Sequence, residues 1–185
     1  MIELDNIELI LRFLSFPDPD CYYYLQILQR EGRTRQVYST LITKDRPINI
    51  EEVKYLCREF TGRAYISLCP RSLKKFTLEL SKAVIERVVN ETYVTSTLRL
   101  PDSIALKSGT IVSGGTLWMF DIDDPKLKEP TLNKCEECGI VVKLIVPSFQ
   151  GYHIIVEPFN PTNFDQECLA ILKRDANTMI FGCKS

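Results

Sequence analysis

Apolar residues recur along this chain with two periods, one near two residues and one near three and a half, and the alternation divides it into strands and helices. The segments CYYYLQILQR (21–30) and QVYSTLIT (36–43) are rich in β-branched and aromatic residues. They flank EGRTR, which predicts a hairpin with its tip at Gly32. RAYISLC (63–69) alternates as a strand does, and TLWMFDID (116–123) is the most apolar strand candidate. IVVKLIVPS (140–148) and YHIIVEPF (152–159) predict two strands joined by a tight FQG turn. Helical spacing follows Asn49, where Val53, Leu56, Cys57 and Phe60 form a stripe that Gly62 ends. It returns after Ser72 and runs to about Asn90 through Leu73, Phe76, Leu80, Val84 and Val88. A short helix from Ile7 to Leu14 is predicted to stop before Pro17, and another to begin near Pro161, followed by ILKR and NTMIF as short strands.

Strands and helices are intermixed, with several hairpins. The pattern therefore predicts an α+β (or α/β) fold with a mixed, largely antiparallel sheet and packed helices, rather than a doubly wound parallel sheet. A chain of 185 residues fits one domain. Its expected parts are an N-terminal hairpin and helices to residue 90, an irregular Ser- and Thr-rich loop over 91–115, and a half over 116–185 that carries the motifs. The run Tyr22, Tyr23 and Tyr24 must present rings on both faces of its strand, so one face is expected to look outward.

Composition narrows the chemistry. There are 23 Lys and Arg against 24 Asp and Glu, a net charge of −1, which argues against strong nonspecific binding to DNA. No apolar run approaches the ~20 residues of a membrane span, and seven irregularly spaced cysteines without a basic leader predict a reduced, cytoplasmic protein. The single histidine removes every mechanism that needs two imidazoles. Asp121 and Asp123, two residues apart on a strand, project from one face; adjacent carboxylates suit a hard cation such as Mg²⁺ or Mn²⁺. The alternative is a strand end where acids meet solvent, since Asp-Asp-Pro is also good turn chemistry. His153 follows the turn SFQGY, where Gly151 permits close backbone approach and Ser148 offers a hydroxyl, an arrangement able to hold a phosphate.

A strand ending in DxD, followed some thirty residues later by a strand–turn–strand carrying Ser-x-x-Gly-x-His, resembles the first two motifs of the archaeo-eukaryotic primase superfamily over about residues 116–160. The resemblance implies a primase-like, RRM-like core and a nucleotidyltransferase acting on nucleic acid with nucleoside triphosphates and Mg²⁺ or Mn²⁺. It assigns Asp121 and Asp123 to catalysis and metal binding, and Ser148, Gly151 and His153 to the incoming nucleotide. The family's third acid has no clean match; Glu157, on the His153 face, is the first candidate and Asp175 the second.

Basic residues supply a further expectation. Arg63, Arg71, Lys74 and Lys75, with Arg58, face only Glu59 over 58–75, and Arg30, Arg33 and Arg35 surround Glu31 at the hairpin tip. These would track a single-stranded nucleic acid, with Tyr65 stacking a base; the plainer reading is a solvated surface. Cys135 and Cys138 make half of a zinc ribbon, and the absence of a second close pair argues against zinc. Two other functions fit the same residues. One is a non-enzymatic protein that binds a protein partner on a degenerate primase-like fold, and the other is a metal-dependent nuclease.

Overall fold

A computed structural model describes residues 1–30, 32, 34–164, 169 and 171–184. The hairpin forms as its pattern predicts, with β2 (Cys21–Gln29) antiparallel to β3 (Arg35–Thr43) and Gly32 at φ +74 in the turn. Asn49 accepts a hydrogen bond from the Glu52 N–H and starts α2 (Ile50–Glu59). Ser72 accepts one from the Lys75 N–H and starts α3 (Leu73–Val89). Each cap satisfies one of the backbone donors that the first turn of a helix leaves without a partner. A short strand that the periodicity does not predict, β1 (Ile2–Asp5), precedes α1 (Ile7–Phe13).

Two antiparallel sheets form, so the fold is α+β. The larger has the order β1-β10-β4-β2-β3, where β4 is Gly62–Ser67 and β10 is Asn177–Lys184, with β5 (Arg71–Ser72) beside β2. The smaller has the order β7-β8-β6-β9, from β6 (Trp118–Ile122), β7 (Val142–Pro147), β8 (Tyr152–Val156) and β9 (Leu172–Arg174). Between β6 and β7 the charged connector forms α5 (Lys128–Glu137). The first strand of this unit thus lies between its third and fourth, the split β-α-β arrangement of RRM-like sheets. β10, which follows this unit in the chain, lies in the larger sheet between β1 and β4.

Residues 91–115 are not an irregular loop. They include α4 (Leu100–Ala105), with Pro101 in its first turn, and Leu100, Ile104 and Ala105 pack on Tyr22, Tyr24 and Phe76. That cover explains a second departure: all three tyrosines are buried. Tyr23 lies in the core beneath α1 and α2, while the Tyr22 and Tyr24 hydroxyls donate to the Ala105 carbonyl (3.0 Å) and the Asp102 carboxylate (2.8 Å). A central strand with both faces covered needs a partner for every buried hydroxyl, and α4 supplies two. The C-terminal helix predicted from Pro161 appears as a short 3-10 turn (Pro161–Asn163), and its continuation falls outside the described residues. No helix among the described residues is long and apolar enough to cross a membrane.

Candidate functional site

In the smaller sheet the register decides which side chains meet. Asp121 stands opposite His153 and Ile122 opposite Tyr152. Phe120, Ile122, Ile154 and Val156 face the core beneath α5. Met119 and Ile155 point the other way, into the core shared with the larger sheet. Asp121 and His153 continue that second face beyond the packed region. There the two sheets part to form a cleft of about 560 Å³.

His153 spans the junction. Its Nδ1 lies 2.9 Å from the Thr178 hydroxyl on β10, and its Nε2 lies 3.4 Å from an Asp121 carboxylate oxygen. The residue is only 6% exposed, yet both ring nitrogens have polar partners and it borders the cleft, so it is not an apolar core residue. The His153 hydrogen bond, with the charges of His153 and Lys173, holds the Asp121 carboxyl below its ordinary range against the opposing effect of burial. Stability contributed by ionised Asp121 is therefore in place above about pH 4. It is lost as pH falls through the depressed native value. Asp121→Asn should flatten this acid limb, read as urea midpoints between about pH 5 and pH 2.5; an unchanged limb would contradict the pairing.

The turn between β7 and β8 closes on itself. The Ser148 N–H donates to the Gly151 carbonyl (2.8 Å), and the Gly151 N–H donates to the Ser148 hydroxyl oxygen (3.0 Å). Accepting that bond leaves the Ser148 hydroxyl proton available to a ligand. Gly151 sits directly on the end of β6: a Cβ there would lie 2.0 Å from the Ile122 carbonyl oxygen. Only glycine lets this turn and the acidic strand end approach this closely. Phe149 reaches from the turn to the larger sheet, with the Arg63 guanidinium 4.9 Å from its ring centroid and the Gly182 backbone against its edge.

Asp121, Asp123, Ser148 and His153 all line this one cleft, whereas Gly151 packs behind it against the Ile122 backbone. Arg63 lines it from the opposite wall. Glu157 does not: it lies at the far end of β8, pairs with Lys143 and borders a different hollow beside Leu117. It stands four positions beyond His153 in the chain, about 13 Å along the strand direction, too far to share an ion with Asp121. The second candidate acid, Asp175, does line the cleft, in the left-handed region at φ +54. Burial pushes its carboxyl up, against the pull of Arg71, which pairs with it from behind.

Arg71 is accordingly no nucleic-acid contact. Its side chain is 0% exposed and also donates to the Lys107 carbonyl (2.7 Å) and the Thr110 hydroxyl (3.0 Å). Lys74 and Lys75 also stand away from the cleft, at the start of α3, where Lys75 Nζ donates to the Ile111 carbonyl (3.0 Å). Arg33 lies outside the described residues. Pattern reading passed over Lys173, Arg174, Phe149 and Thr178, although the Lys-Arg pair directly before Asp175 was a visible signal.

Among the described residues no three His, Cys, Asp or Glu side chains come together as a ready-made metal site. Asp121 and Asp123 suit Mg²⁺ in another way, since that ion commonly takes one or two protein carboxylates and completes its shell with phosphate oxygens and water. For zinc the fit is poor: Cys135 is buried in the core beneath α5 while Cys138 is exposed at the helix end. Facing the acids are Arg30, Arg63, Lys173 and Arg174, and among the described residues none of these forms an ion pair with a carboxylate. Comparison with protein-family models, curated proteins and solved structures finds no match to this chain.

Proposed function

We propose that the cleft binds a nucleoside triphosphate with Mg²⁺ or Mn²⁺ and that the protein is a primase-like nucleotidyltransferase acting on nucleic acid. The observation that carries this reading is the convergence of the DxD acids, the Ser148–Gly151 turn and His153 with cations that have no carboxylate partner. Acids alone would repel a triphosphate, and cations alone would leave a metal without ligands; the combination suits a metal–triphosphate. Asp121 and Asp123 hold the cation, which when bound would help activate a 3′-hydroxyl and neutralise the leaving pyrophosphate. Ser148 donates to a phosphate oxygen. His153 fixes the Asp121 carboxylate and borders the phosphates, and Arg63, Lys173 and Arg174 balance their charge. Asp175, rather than Glu157, is the third acid the cleft offers.

A second reading rests on one observation: among the described residues the acids do not gather into a group of three. It keeps nucleotide and cation binding but omits transfer, leaving an interaction protein on the same fold. Incubation with Mn²⁺, labelled nucleoside triphosphates and a single-stranded template separates the readings. Incorporation that Asp121→Asn with Asp123→Asn reduces by at least about a hundredfold supports transfer. Calorimetric uptake of the metal–triphosphate without incorporation supports the binding protein. Mn²⁺-dependent loss of the labelled template would identify a nuclease, and no uptake at all would overturn the site.

A further inference from the structure

The wall of the cleft formed by the larger sheet has a different character from the wall that carries the acids. Leu28 is in register with Arg63 and Gln26 with Tyr65, so these four side chains share one face of β2 and β4. A bulge between Ile27 and Leu28 then sets Leu28 opposite Gln36, and Gln26 lies opposite Ser39, which carries the same face onto β3. Beyond Gln36 the surface enters a second hollow, of about 640 Å³, bordered by Arg35, Arg99 and Ser103. The cleft and this hollow are therefore two ends of one open sheet face, which α4 covers only beyond Tyr24.

Charge along this face is mainly positive, with four arginines to one carboxylate, Asp102. Arg30, Arg63, Arg35 and Arg99 have no carboxylate partner among the described residues. The carboxylate of Asp102 is already engaged by the Tyr24 and Ser39 hydroxyls and the Gln36 amide, at 2.8, 2.7 and 2.9 Å. Two of the cations are aligned by aromatic rings: Arg30 lies over Tyr65 (5.5 Å to the centroid) and donates to its hydroxyl (3.2 Å), and Arg63 lies over Phe149.

We infer that this face is a track for a single strand of nucleic acid, running from the cleft over Tyr65 and Leu28 to the hollow between Arg35 and Arg99. The inference rests on the nucleotidyltransferase reading and adds where the strand lies. Ring faces with interleaved guanidinium groups stack bases of any identity, while the cations follow the backbone. The prediction is sequence-tolerant, salt-sensitive binding.

The test is fluorescence anisotropy with a labelled single-stranded oligonucleotide of about 12 residues over a range of salt concentrations. Arg30→Ala with Arg63→Ala, and separately Arg35→Ala with Arg99→Ala, should each weaken binding about tenfold or more and reduce the log–log salt slope by about 1.4. Tyr65→Phe should bind nearly as wild type, and Tyr65→Ala about fivefold or more weaker. An unchanged affinity in the Arg35 and Arg99 variant overturns the track. So does equal competition by polyglutamate together with indifference to Tyr65→Ala, which would mark a general polyanion surface. Uptake of the metal–triphosphate measured alongside separates the two readings. Wild-type protein that takes up nucleotide but no oligonucleotide overturns the track alone, and protein that takes up neither overturns the nucleotidyltransferase reading as well.

Discussion

Gly151→Ala is expected to abolish metal–triphosphate uptake and to lower stability by about 3 kcal/mol. The added Cβ would meet the Ile122 carbonyl oxygen at 2.0 Å and the Asp123 carbonyl carbon at 3.4 Å, contacts with backbone rather than with a side chain that could rotate away. Either the turn or the end of β6 must shift. Asp121, Asp123 and Ser148 are carried by those two segments, so either displacement disperses the site. Gly109→Ala is the matched control, because a Cβ at Gly109 meets nothing within 4 Å. Urea unfolding and calorimetry check both effects. A Gly151→Ala protein with wild-type stability and binding would show that the turn does not approach β6 as described.

Asp175→Ala is expected to lose about 3–5 kcal/mol, and Arg71→Met considerably less. The asymmetry follows from which partner can discharge. Asp175 is partly exposed and accepts a proton when Arg71 is removed. Arg71 has no exposure and cannot deprotonate, so losing its one carboxylate leaves a buried charge with only the Lys107 carbonyl and Thr110 hydroxyl as neutral acceptors. Combining Arg71→Met with Asp175→Ala removes both charges and should recover most of the loss, a coupling that a double-mutant cycle reads directly. Equal costs for the two single variants, or additivity in the double, would contradict a buried ion pair. The geometry also explains why Arg71 misleads a reader of sequence: within a basic run it looks like a surface cation, and only the long-range contact to Asp175 reveals it as interior.

Local signals account for much of the fold. Caps at Asn49 and Ser72, the turn at Gly32, and the apolar, β-branched and aromatic runs that become β2, β3, β4, β6, β7 and β8 are all short-range, and the folded chain follows them. What sequence could not supply was long-range. The burial of Tyr22 and Tyr24 depends on α4, some eighty residues away, and the return of β10 to the larger sheet depends on pairing with β1 and β4. The site divides in the same way. Asp121 and Asp123 share one strand end, Ser148, Gly151 and His153 share one hairpin, and each group is legible from short spacings; the pairing of β6 with β8, across α5, brings the two groups together. Glu157 follows the alternation that puts it on the His153 face, but face is not position along the strand, and Lys143 holds it elsewhere. Lys173 and Arg174 reach the cleft only because β9 pairs with β6.

The chain's single histidine supplies the most direct test of the central claim. Its imidazole ring protons give the only histidine signals in the proton NMR spectrum, and they report from the junction of Asp121, Thr178 and the cleft. Addition of a nucleoside triphosphate with Mg²⁺ should shift these resonances. Substoichiometric Mn²⁺ should broaden them in the wild type and leave them sharp when Asp121→Asn is combined with Asp123→Asn. His153 resonances that stay unmoved by nucleotide, or that broaden equally in both proteins, would contradict a metal–triphosphate site in this cleft.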